Sequence, residues 1–164
     1  MKSGRTRGYR KGIGIVLANP RGQVLLARRN DMRGQWQLPQ GGIDPGEEPH
    51  QAMFRELKEE LNVPEAHATI VAKTRTYLRY NFPKIMPDPN NLARDYMGQE
   101  LMFFLLHFHG SDSLIDVFGV RHAEFDCWSW VDYWKPVESI VAFKRDMYRR
   151  ALTELKPYLF GEEY

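Results

Sequence analysis

With 164 residues, the chain is about the size of one domain with a real hydrophobic core, and 43% hydrophobic and 27% charged residues is an ordinary globular balance. The longest unbroken apolar run, Leu101 to Leu106, is far too short to span a bilayer, which excludes a transmembrane-helix protein. A net charge of +2 hides asymmetry: Lys2, Arg5, Arg7, Arg10 and Lys11 make the N-terminus basic, and Lys144, Arg145, Arg149 and Arg150 cluster late.

The basic segment of about residues 1–8 has no apolar stretch behind it and does not read as a secretory signal. Ile13 to Leu17 and Val24 to Ala27, separated by Asn19-Pro20-Arg21-Gly22, read as strand, turn and strand, with Arg28 and Arg29 following. Trp36-Gln37-Leu38 is a short strand candidate leading into a Gly-rich loop. A helix is expected from about Glu48 to Leu61, with Pro49 tolerated in its first turn and an apolar face of Met53, Phe54, Leu57 and Leu61. Thr69 to Tyr80 is rich in β-branched and aromatic residues and reads as one long strand, and residues 82–94, with three prolines, as a loop. Leu101 to His109 and Phe125 to Val131 are further strands, and Val137 to about Leu159 carries a helical period, ahead of a short tail of about 160–164. The single cysteine, Cys127, cannot form an internal disulfide, so a reducing cytoplasm is the expected compartment.

Four glutamates stand out. Glu47 lies in a turn after Asp44-Pro45-Gly46, and Glu56, Glu59 and Glu60 lie inside the helix, directly after Arg55. At about 100° per residue, Glu56 and Glu60 share a face and Glu59 lies beside them. Such a stripe repels itself, but hard divalent cations such as Mg²⁺ bind a few carboxylates together with substrate phosphates. A solvated charged face is the usual fate of a short acidic run, yet a fixed spacing from Gly41 to Val63 is far more specific than a lone motif.

Gly41, Glu47 and Arg55-Glu56-Leu57-Lys58-Glu59-Glu60-Leu61-Asn62-Val63 together resemble the signature of the Nudix hydrolases. Asn62 stands where that family usually has Gly; Asn is the next-best residue for a left-handed helix end. Further matches are Gly8-Tyr9-Arg10, residues 36–43, Gly98-Gln99, Glu124-Phe125-Asp126 and Phe143-Lys144-Arg145, and they are similar to the RNA 5′-pyrophosphohydrolase branch of that family. The resemblance implies an α/β fold, the Nudix α/β/α sandwich with a mixed β-sheet, as a single domain over residues 1–164. It also implies that pyrophosphate is removed from the 5′-triphosphate end of RNA, with Mg²⁺, or Mn²⁺ or another divalent cation, as cofactor. A dinucleoside polyphosphate hydrolase is the alternative activity. A non-catalytic nucleotide- or RNA-binding module is disfavoured, because it would be expected to have lost one or more metal glutamates.

By the same resemblance Glu56, Glu59 and Glu60 bind metal, Glu124 completes the site as ligand or base, and the Gly41 carbonyl reaches a metal. Arg55 is expected to orient the helix carboxylates through charge-assisted hydrogen bonds. Arg10 belongs near the phosphates, and Arg29, Gln99, Phe143 and Lys144 around the first bases, with Tyr80 lining the slot. Guanidinium groups fork onto phosphate, and Phe beside a cation offers a stacking slot for a splayed base. Gln35 replaces a small hydroxyl residue frequent in relatives, inside a loop one residue longer. The expected partner is 5′-triphosphorylated RNA, with neither DNA nor membrane.

Overall fold

A computed structural model describes residues 8–31, 34–84, 95–120 and 123–161. The expected basic segment and C-terminal tail, and most of the Pro-rich loop, therefore lie outside the described residues. Two strands form the spine: β1 (Tyr9–Ala18) runs parallel to β7 (Gly98–Phe108), paired from Tyr9↔Gly98 to Ala18↔His107. Each spine strand has its outer edge covered by two shorter ones. Beside β1, β4 (Gln40–Gly42) pairs the first half, while β2 (Val24–Arg29) meets its end at Ala18↔Val24. Beside β7 lie β6 (Leu78–Asn81) on the first half and β5 (Ala68–Lys73) on the second, both antiparallel. From β2 the sheet extends to β3 (Trp36–Gln37) and β8 (Phe125–Val131). Parallel and antiparallel pairs together make the sheet mixed.

Side chains alternate across the pleat, so each spine strand feeds two cores. Ile13, Ile15, Leu17, Met102, Phe104 and Leu106 pack with Met53, Leu57 and Leu61 of helix α1 (Pro49–Leu61). Val16, Leu101, Phe103 and Leu105 face the opposite way. They pack with Met147, Tyr148, Ala151, Leu152 and Leu155 of helix α3 (Arg145–Phe160). Burying both sheet faces under helices gives the α/β/α sandwich.

Local chemistry explains where the expected segments differ. The expected strand Thr69 to Tyr80 is two strands, because Thr74 turns the chain: its Oγ1 donates to Thr76 O (3.0 Å) and accepts from Phe103 N (3.1 Å). The expected helix from Val137 is likewise divided. A short α2 (Lys135–Ser139) stops at Ile140, whose extended backbone (φ −74°, ψ 151°) buries its side chain in the core, and α3 restarts after a 3₁₀ turn at Ala142–Lys144. Strand β4 lies in what reads as a Gly-rich loop.

Helix α1 begins as its sequence suggests. Pro49 occupies the first turn, where no intrahelical N–H is needed, and Gln51 Oε1 accepts from Glu48 N (2.9 Å). It ends at Asn62 in the left-handed region (φ 59°, ψ 25°), the conformation expected from its place in the motif.

Candidate active site

Strand β4 is the hinge of the site because its two glycines face opposite ways. A side chain on Gly41 would collide with Glu56 of α1, its Cβ lying 2.1 Å from the Glu56 Cδ. On Gly42 it would collide with the Arg10 guanidinium, 2.4 Å from Nη2. The doublet thus admits a carboxylate on one face and a cation on the other.

On the α1 face, Arg55 gathers the glutamates. Its Nε and Nη2 fork onto Glu47 (2.8 and 2.9 Å), Nη1 donates to Glu56 (2.9 Å) and Glu59 (3.2 Å), and Nη2 also donates to Gly42 O (2.9 Å). These charge-assisted bonds hold the Glu47 carboxyl down at about 2, with a backbone N–H from Asp44 helping. Glu56 moves the other way. Burial pushes it up to about 7 against the pull of Arg55, with Glu59 and Glu124 adding repulsion.

Glu60 is the extreme case. Only 3% of it is exposed, and neither carboxylate oxygen has a hydrogen-bond partner. Its carboxyl abuts those of Glu124 and Glu56, so burial first and these neighbours second raise it well above the usual carboxylate range. An uncompensated buried carboxylate costs several kcal/mol, and only a proton or a cation relieves it.

Glu124 reaches this cluster from the segment that leads into β8. Strand β8 pairs Arg28↔Cys127 but Arg29↔Phe125, so Asp126 bulges out and binds Arg28 (2.7 Å). Asn30 holds the preceding backbone, its N–H donating to Glu124 O (3.0 Å) and its Nδ2 to Ala123 O (2.6 Å). Together Glu56, Lys58, Glu59, Glu60, Asn62, Gly119, Val120 and Glu124 line an open groove of about 550 Å³.

Among the described residues no three His, Cys, Asp or Glu side chains are already disposed around one ion; Arg55 draws Glu56 and Glu59 toward itself. The donor set still suits a hard divalent cation: all oxygen, three mutually repelling carboxylates, two orphaned oxygens on Glu60, and a glycine that keeps side-chain bulk away.

The other sequence-identified residues collect on the α3 face. Tyr80 and Gln99 pair across β6 and β7, and the Tyr80 hydroxyl donates to Gln99 Oε1, which also accepts from Gln40 Nε2 (3.2 Å). Lys144 Nζ stands 5.1 Å from the Tyr80 ring centroid, and the Phe143 ring 5.8 Å from it. Phe143 is about one-third exposed, whereas Tyr80, Gln99 and Lys144 are buried, forming the floor of the cluster. Burial, then the nearby Arg29 charge, lowers Lys144 to about 8. Arg29 is forked onto Asp31 (2.9 and 2.7 Å), so an incoming phosphate must compete with that carboxylate. Gln35 O accepts from Arg29 N (2.9 Å), tying the longer loop to the end of β2.

Sequence reasoning missed Gln40, Asn30, Lys58, Asn62 and the Gly119–Val120 wall as site-lining groups. Gln40, Lys58 and Asn62 stood inside matched motifs, but nothing in their local sequence marks them as lining the site.

The profile of the NUDIX domain matches residues 8–151. The chain is similar to proteins named RNA pyrophosphohydrolase from Marinomonas sp. (48% identical over 150 residues, 92% of each chain) and Shewanella sediminis (45% over 152 residues, 92% of this chain and 86% of the relative). Its fold resembles the solved Ap4A hydrolase binary complex of C. elegans, with a TM-score of 0.63 and 22% identity over 86% of this chain and 93% of that one.

Proposed function

The chain belongs to the NUDIX domain family, and from that premise we propose that it is an RNA pyrophosphohydrolase acting on 5′-triphosphate ends. The observation that carries this reading is Glu60, buried between Glu56 and Glu124 with two orphaned oxygens at the floor of an open groove. Glu56, Glu59, Glu60 and Glu124, with the Gly41 carbonyl, are the groups to hold divalent cations, Mg²⁺ being the proposed ion and Mn²⁺ an acceptable substitute. When bound, such ions neutralise phosphate charge and lower the pKa of an attacking water.

The protein's own residues do the rest. Arg55 gathers Glu47, Glu56 and Glu59 around one guanidinium, which keeps these repelling carboxylates close together until a cation takes them. A glutamate near the water accepts its proton. Water adds to one phosphorus of the anhydride between the first and second phosphates. The bridging oxygen leaves with the bond's electron pair, giving 5′-monophosphate RNA, open to decay, and pyrophosphate. Arg10, lying over Gly42 on the far face of β4, takes the phosphates nearest the RNA. Phe143 offers the first bases an aromatic face backed by Tyr80 and Lys144. The relatives' names favour RNA. Among the described residues no helix is long and apolar enough to cross a membrane, and a cytoplasmic site of action fits the substrate.

The test is kcat/KM on equal concentrations of triphosphorylated RNA, diphosphorylated RNA and diadenosine tetraphosphate with Mg²⁺. Preference for an RNA end is the expected result. A clear preference for the dinucleotide overturns the substrate assignment in favour of a dinucleoside polyphosphate hydrolase.

A further inference from the structure

The groove has one cationic side chain among its described lining residues, Lys58. It stands on the C-terminal half of α1 with Asn62, and its Nζ donates to Asn62 Oδ1 (2.9 Å). Asn62 occupies the left-handed helix end where glycine suffices for the backbone, so its amide is surplus to the turn and supplies the acceptor that fixes the lysine. One of the ammonium's three protons is used, and two remain free to donate.

This placement answers a local electrostatic problem. From Glu56 to Asn62 the helix advances about 9 Å, away from Gly41 and from the Arg10 cluster beyond Gly42. A triphosphate with its RNA end near Arg10 and its distal phosphates extended along α1 would bring those phosphates toward Asn62. That is the wrong end of a helix for an anion, because α1 carries partial negative charge there on its free carbonyls. On the opposite wall the described lining residues, Gly119, Val120 and Glu124, bring no positive charge. Arg55 is spent on Glu47, Glu56 and Glu59, and Arg28 on Asp126.

We infer that Lys58, tethered by Asn62, is the binding group for the distal phosphates that depart as pyrophosphate. The assignment rests on the proposed pyrophosphohydrolase reading and extends it to the leaving-group end. Lys58 also lies in the last turn of α1, where a cation stabilises a helix whatever the substrate; the experiment separates these two roles.

The readouts are pyrophosphate binding by calorimetry with Mg²⁺ and its Ki as product inhibitor, beside Ki for 5′-monophosphate RNA and melting temperature. Lys58→Ala is expected to weaken pyrophosphate by about ten-fold, the scale of one charge-assisted hydrogen bond. Monophosphate RNA should bind unchanged. Lys58→Arg should restore most of the loss, and Asn62→Gly, which frees the lysine but keeps its charge, should fall between. A drop in melting temperature with unchanged pyrophosphate affinity would reduce Lys58 to a helix-end cation and overturn the inference, as would equal losses on both ligands. A parent that binds pyrophosphate through Lys58 yet fails to cleave triphosphorylated RNA would refute the proposed activity and leave this subsite standing.

Discussion

Glu60 ends its side chain where no donor reaches it, and that isolation makes a substitution there informative. Glu60→Gln keeps the shape, leaves no ionisable carboxyl to bury, and lets an amide donate to Glu56 or Glu124. Without metal the variant should melt no lower than the parent. Its hydrolysis should fall on the order of 10³-fold, the scale of losing a charge-stabilising group. Retention of more than about a tenth of kcat at saturating Mg²⁺, a small fraction of that loss, would remove Glu60 from the metal set. Phe143 makes a second residue-level test, because its ring is partly exposed while backed by Tyr80. Stacking one base is worth roughly 1–3 kcal/mol, so Phe143→Ala should lower kcat/KM on triphosphorylated RNA about ten-fold or more. ATP has no second base, and its penalty should be smaller. Equal losses on the two substrates, with circular dichroism unchanged, would make Phe143 a support for Tyr80 and not a base contact.

At the scale of elements, β4 divides the carboxylate face from the Arg10 face, and its glycines should fail differently. Gly41→Ala drives its Cβ into the Glu56 carboxylate, the far end of a flexible side chain. Folding should survive, but Glu56 is displaced, so kcat should collapse with little change in binding of monophosphate RNA. Gly42→Ala pushes away the Arg10 guanidinium instead, and weaker RNA binding with a smaller loss of kcat is expected. Steady-state kinetics and RNA binding on both variants check the division, and identical profiles would refute it. Much of α1 was legible in sequence because its information is local: Glu56 and Glu60 share a face by periodicity, and Asn62 suits a left-handed cap. Glu124 was not legible from spacing. Its approach to Glu60 depends on β8 pairing with β2 and bulging at Asp126, contacts nearly a hundred residues apart, and only the family resemblance pointed to it. The division at Thr74 was hidden for a related reason, since its hydroxyl is claimed by Phe103 of a distant strand.

Across the whole molecule, the buried carboxylates tie stability to pH and to metal in a direction the shifts determine. Glu56 rises from 4.5 to about 7, and burial and its carboxylate neighbours likewise raise Glu60 well above its usual value. Folded protein therefore keeps protons that the unfolded chain has already released, and stability falls as pH climbs from about 4.5 through 7. Glu47 acts in a separate window: its carboxyl is lowered to about 2, so its contribution is present above about 4.5 and lost as pH drops toward 2. Lys144, lowered to about 8 by burial, imposes a cost below about 8 that is relieved as pH rises from there toward 10.5. In a chelator, the melting temperature should thus decline between pH 5 and pH 7. Divalent cations bind the ionised carboxylates and compete with the same protons, so the stabilisation by Mg²⁺ or Mn²⁺ should grow over that interval, with protons released on binding. Glu60→Gln should flatten the decline in chelator and shrink the metal effect together. Melting curves at several pH values, with chelator or metal, carry the test. A metal-free protein that gains stability from pH 5 to 7 would mean that Glu56 and Glu60 are not the protonated, cation-seeking groups the groove is built around.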